Sequence, residues 1–155
     1  MKKTIKIKLT FIDMTPDEET PAGAPVADPS PEISEFVTDA EYSTSERCEI
    51  LYKESPELGM GNCTVRISWL ANDPEIISVI RNGETQTVMS FEPGRRHVST
   101  YSMGTMGFEL TTRTLRCIND FDGTTAGEIY VDYIVEVRGG FVGRRKMSVK
   151  VLPET

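Results

Sequence analysis

Between Thr85 and Leu115 the chain reads TQTVMSFEPGRRHVSTYSMGTMGFELTTRTL, three extended runs separated by two glycine turns, Pro93-Gly94 and the Met103–Gly107 bend. Thr85, Thr87, Met89 and Phe91 share one face of the first run, and Met106, Phe108 and Leu110 share one face of the third. Side chains alternate faces along an extended backbone, so a period of two broken by short turns predicts a β-meander whose strands pair with their neighbours in sequence. No other feature limits the fold as strongly, because the same grammar recurs on both sides of this stretch.

Upstream, Lys2–Ile12 sets Ile5, Ile7, Leu9 and Phe11 against Thr4, Lys6, Lys8 and Thr10, a half-buried strand whose lysines would suit a guarded edge. Cys48, Ile50 and Tyr52 alternate in Arg47–Glu54, as do Cys63, Val65, Ile67, Trp69 and Ala71 in Asn62–Ala71. Glu75–Arg81 is apolar on both sides, and Asn82-Gly83 after it is the dipeptide favoured in a type I′ hairpin. Downstream, Asn119–Ala126 reads as a polar loop. Gly127–Arg138 turns Ile129, Val131, Tyr133, Val135 and Val137 one way, and Lys146–Leu152 ends the chain with Met147, Val149 and Val151. Glu32–Tyr42 supports two readings. Ser30 and Pro31 could start a helix with Ile33, Phe36, Val37 and Ala40 on one face, whereas Phe36, Thr38, Ala40 and Tyr42 also share a strand face. The turn at Ser43–Glu46 leads straight into the next strand and favours a hairpin.

About ten strands, joined mostly by short turns, predict an all-β protein. An open antiparallel sheet of that size leaves costly edges, and closure removes them. The expected fold is a closed antiparallel up-and-down β-barrel of about eight to ten strands, with a two-sheet sandwich as the rival. The 155 residues suit one domain, spanning 1–155. Asp13–Pro31 holds five of the nine prolines and five acids, too little apolar surface to offset its ordering entropy, and is expected to be a mobile acidic loop.

The formal charge of −7 is unevenly placed. Residues 13–46 hold ten acids and no base, so the rest of the chain, with 17 basic against 14 acidic residues, carries +3. A net acidic protein repels the nucleic-acid backbone, and nucleic acid is not an expected partner. Lys6 and Lys8 interrupt the N-terminal apolar stretch, which excludes a signal peptide or membrane span there. Cys48, Cys63 and Cys117 are odd in number and unpatterned in spacing, so free thiols in a reducing cytoplasm are expected, with no zinc site. His97 is the lone histidine, beside Arg95 and Arg96, and reads as a surface strand residue rather than a triad member or haem ligand. Asp120-Phe-Asp122-Gly123 lacks the later ligands of a calcium loop. The basic clusters Arg95-Arg96 and Arg144-Arg145-Lys146 sit beside turns and read as solvated charge. No cofactor is expected, and no acid–base pair can be named.

In order along the chain, Glu54-Ser-Pro-Glu-Leu-Gly59-Met60, Thr64-Val-Arg-Ile, Arg81-Asn-Gly83, Met89-Ser-Phe91-Glu-Pro-Gly94 and Tyr101 through Thr114 resemble the YwiB-like family, small bacterial proteins of unknown function. The resemblance covers roughly Ile33 to Leu152 and implies a calycin-like, lipocalin-related barrel; it also favours strand over helix at Ile33–Tyr42. Asp13–Pro31 is longer than the family's first loop, and Ser102-Met-Gly-Thr105 replaces its Thr-Pro-aromatic-Gly run.

The interior of such a barrel is the candidate site, since eight to ten strands enclose either packed side chains or one small ligand. Trp69, Phe91, Tyr101, Phe108 and Tyr133 are the large residues expected to point inward. Glu109 and Arg113 share the other phase of their strand and Arg66 that of an earlier one; were that phase the lumen, a carboxylate–guanidinium pair would orient a polar ligand head. The expected function is non-catalytic binding of a small hydrophobic or amphipathic molecule. The alternative is a filled barrel acting as a scaffold or homodimer.

Overall fold

The computed structural model describes residues 2–14, 32–54, 63–103, 105–137 and 140–153. Every regular element among them is a strand: β1 (Lys2–Met14), β2 (Glu32–Ser43), β3 (Arg47–Lys53), β4 (Cys63–Leu70), β5 (Asp73–Gly83), β6 (Thr85–Phe91), β7 (Arg96–Met103), β8 (Met106–Asn119), β9 (Glu128–Val137) and β10 (Gly140–Val151). Each pairs antiparallel with its sequence neighbours, and the β1–β10 ladder, from Ile7 opposite Val151 to Met14 opposite Arg144, closes the sheet into a ten-stranded up-and-down barrel. A single closed sheet excludes the sandwich. The ambiguous segment is the strand β2, paired with β1 from Lys2–Ser43 to Asp13–Glu32.

Alternation decides what lies inside. Ile5, Ile7, Leu9 and Phe11 of β1, Cys48, Ile50 and Tyr52 of β3, Val65, Ile67 and Trp69 of β4, and Ile129, Val131 and Tyr133 of β9 are all buried. Ile7, Ile50, Ile67, Ile77, Phe91 and Ile129 have no exposure at all. Burying each such side chain stabilises the fold by about 1.5–3 kcal/mol. Most intervening residues face water and are cross-linked by surface ion pairs, among them Lys2–Glu41 at 3.4 Å and Lys8–Glu35 at 3.5 Å; Ser68 and Asp132 are instead buried beneath the guanidiniums of Arg47 and Arg144. Cys48, Cys63 and Cys117 are free and buried.

One end of the barrel is stoppered. The loop expected to be merely polar sends Phe121 inward, where its ring meets Tyr42 edge-on at 5.2 Å and Trp69 at 6.0 Å. Hydrogen bonds within the loop hold it there: the Phe121 N–H donates to Asn119 Oδ1 at 3.1 Å, and the Glu128 N–H to Asp120 Oδ1 at 2.7 Å. Gly123 has φ +80° and packs against the Tyr42 ring, which a Cβ there would approach to 2.7 Å.

Two boundaries differ from expectation. β1 runs through Asp13 and Met14, because both pair with β10, opposite Arg145 and Arg144. Residues 15–31, the remainder of the expected acidic loop, lie outside the described residues. In β8 the register shifts between Thr114 and Arg116, leaving Leu115 as an extra residue. That bulge lets Thr114 and Cys117 both turn inward, at 1% and 7% exposure.

Candidate functional site: a cavity opposite the stoppered end

A cavity of about 310 Å³ occupies the barrel end away from the Phe121 stopper. Met89, Leu110, Val135 and Val137 form its apolar wall; Thr87, Tyr101 and Tyr133 bring hydroxyls; Asp13, Arg81, Arg144 and Arg145 bring charge. These residues come from seven strands because most of them occupy the inner phase near the same end of their strands; Arg144, in the outer phase next to Arg145, reaches the rim and is held by Asp132, Nε at 2.9 Å from Oδ1 and Nη2 at 2.6 Å from Oδ2.

Two guanidinium–carboxylate pairs shape the polar side. Arg145 grips Asp13 bidentately, Nε at 2.6 Å from Oδ1 and Nη2 at 3.1 Å from Oδ2, and its guanidinium lies 5.0 Å from the centre of the Phe11 ring. Burial works against the charge of Arg145, but the hydrogen bond to Asp13 and the nearby Tyr133 outweigh it and hold its pKa above the ordinary value. Burial in turn pushes the Tyr133 phenol up, with Arg145 opposing. The second pair lies deeper. Arg81 Nε sits 2.8 Å from Glu54 Oε1, and Nη2 donates to Oε2 across a long 3.4 Å. The Glu54 side chain is only 3% exposed, and burial pushes its carboxyl up further than Arg81 pulls it down. Beside it, burial and then the Glu54 charge push the Tyr52 phenol up.

Two polar atoms on this side are buried without a hydrogen bond. The Arg81 Nε–H is misaligned with Glu54 despite the short distance, and Thr87 Oγ1 has no partner. The two residues are directly opposite in the β5–β6 register, and Thr87 is opposite Tyr101 in the β6–β7 register.

The residues expected to line the lumen fall into three groups. Tyr101 and Tyr133 line the cavity. Phe91 is buried against Tyr133, ring centres 4.6 Å apart, while Trp69 belongs to the stoppered end. Phe108 pairs in register with Tyr101, and its side chain lies outside the described residues. Glu109, Arg113 and Arg66 point outward and are exposed, because the inner phases of β8 and β4 belong to Leu110, Thr112 and Thr114 and to Val65, Ile67 and Trp69. Arg66 faces Glu49 across 3.5 Å on the outside instead. The charged pairs of the interior are thus Glu54–Arg81 and Asp13–Arg145. Arg145 is a strand residue, not part of a solvated turn cluster. His97 is half-buried, its Nε2 3.6 Å from Glu92 Oε2.

Residues 26–149 match the family described as a domain of unknown function, DUF1934. The chain belongs to that family. Among solved structures, the crystal structure of the YwiB protein from Bacillus subtilis is similar to this DUF1934 chain with a TM-score of 0.66 at 18% identity, covering 98% of this chain and 96% of that one. The match extends the YwiB-like character over nearly the whole DUF1934 barrel, and at that identity it carries the fold alone. No curated protein matches the chain. Among the described residues no helix is long and apolar enough to cross a membrane.

Proposed function

We propose that this DUF1934 barrel is a non-catalytic binding protein for a small apolar or amphipathic molecule held in the cavity opposite the Phe121 end. One observation carries the reading: the barrel is packed at the Phe121 end yet keeps about 310 Å³ at the other, lined by an apolar wall facing buried polar groups. Ligand clefts begin near 300 Å³ and combine these two kinds of lining. A calycin-like role, with the ligand inside the barrel, agrees with that geometry. The ion-paired outer face suits a protein dissolved in water, and the free buried cysteines suit a reducing compartment, so the reading places it in the cytoplasm.

Native mass spectrometry of protein purified from its host tests this. The expected result is a bound mass that disappears in Leu110→Trp, which fills the cavity from its apolar wall. A doubled mass with no adduct would instead support the scaffold or homodimer reading.

A further inference from the structure

We infer that Arg81 and Thr87 form the head-group site of that cavity and that it takes the carboxylate of a small monoanion; the inference rests on the binding function proposed above. Arg81 carries five N–H donors, and Glu54 engages only its Nε, close at 2.8 Å but misaligned, and one Nη2 hydrogen at 3.4 Å. Thr87 is 4% exposed, lines the cavity, and leaves its hydroxyl without a partner. Buried polar groups are nearly always satisfied, and a site that leaves two adjacent donors unspent is complete only with an acceptor between them.

The β-sheet register makes the two donors one unit. Arg81 and Thr87 face each other across β5 and β6, with Tyr101 next in the same rung on β7. Directly opposed side chains lie about 5 Å apart at Cβ, close enough for one carboxylate to span guanidinium and hydroxyl. Charge then sets the valence. Asp13 is saturated by Arg145 and Glu54 stands behind Arg81, so a single negative charge finds unspent donors while a second would meet these carboxylates. Among the described residues lining the cavity, a cation would meet the guanidiniums of Arg81, Arg144 and Arg145 and a single carboxylate, Asp13, already held by Arg145. Size follows from volume: 310 Å³ is the share of about ten waters, hence a molecule of about ten non-hydrogen atoms whose body rests on Met89, Leu110 and Val135.

Octanoate, n-octanol and octylamine, matched in length and differing in head charge, provide the test by calorimetry and amide NMR. Octanoate should bind at least about tenfold tighter than the other two. Thr87→Val should weaken octanoate several-fold and leave n-octanol unchanged. Arg81→Gln alone strands Glu54, so the Arg81→Gln/Glu54→Gln pair is the informative variant; it should bring octanoate down to the level of n-octanol. Equal binding of all three, or octanoate indifferent to Thr87→Val, overturns the carboxylate site while leaving the binding function intact. Should none of the three bind and the host-purified protein carry a neutral molecule, the head-group assignment again falls alone. Without a co-purified mass as well, both fall.

Discussion

Thr87, Thr112 and Thr114 are buried in the interior, and the last two are satisfied: Thr112 Oγ1 donates to the Ser90 carbonyl at 3.2 Å, and Thr114 Oγ1 accepts from the Glu92 N–H at 3.1 Å. Thr87 differs from both, since its hydroxyl is buried without compensation. Valine there keeps the shape, removes the uncompensated group and suits a strand better. Thr87→Val should therefore raise stability by about 1 kcal/mol, or roughly 2–4 °C in melting temperature for a chain of this size. A residue that costs stability is one that ligand binding would retain; a lower melting temperature would show that the hydroxyl has a partner. Glu54 makes a second prediction. Its carboxyl is raised by burial in the fold, so between the ordinary carboxylate value and its own raised value the folded state holds a proton that the unfolded chain has lost. Stability from this group is therefore greatest at low pH and falls as pH rises through that window. Urea midpoints measured across it should decline less steeply for Glu54→Gln than for the parent protein, and parallel profiles would remove Glu54 as the cause.

Each strand carries its message in its phase, and the message extends one step further than apolar residues alone suggest. Ile77 and Val79 lead to Arg81; Met147 counts back to Arg145; Leu9 and Phe11 lead to Asp13; Ile50 and Tyr52 lead to Glu54; Phe91 and Met89 count back to Thr87. Each polar residue prolongs the inward phase at the same end of the barrel, where the cavity lies. That is why the ten strands were legible and the site was only half legible. Alternation reports which residues share a face, whereas turn-adjacent charges such as Arg145 look solvated until the strand is known to begin at Gly140. Glu109, Arg113 and Arg66 failed for the complementary reason: sharing a phase with one another does not make that phase the lumen. The stopper was hidden in a different way, since Phe121 sits among polar residues and its loop is held by backbone N–H groups donating to the Asn119 and Asp120 side chains, which no periodicity announces. The element scale makes its own prediction. Gly123→Ala puts a Cβ into the Tyr42 ring at a positive φ and should cost at least about 1 kcal/mol, seen as a lower melting temperature, while leaving the distant cavity able to bind. Loss of binding without loss of stability would contradict the separation of the two ends.

The whole barrel is not sewn evenly. β1 and β2 pair along nearly their full length, as do β8 and β9, but β2 meets β3 only where Glu41–Ser43 face Leu51–Glu49, and β6 meets β7 only where Thr85–Thr87 face Met103–Tyr101. Backbone groups along a short ladder open to water at lower cost, so amides of β6 and β7 should exchange hydrogen well before those of β8 and β9. The two short seams differ in what lies behind them. Thr87, Met89 and Tyr101 make the β6–β7 seam a wall of the cavity, whereas the β2–β3 seam is backed by Phe36, Tyr52 and Glu54 and lies outside it. A ligand touching both β6 and β7 opposes the opening that would release it, and at a free concentration a hundredfold above its dissociation constant it suppresses that opening about a hundredfold. The β2–β3 seam gains no such contact. Exchange measured with and without ligand should therefore slow at β6 and β7 and stay nearly constant at β3; equal slowing at both seams would mean that the ligand stabilises the barrel globally and does not bridge this pair of strands.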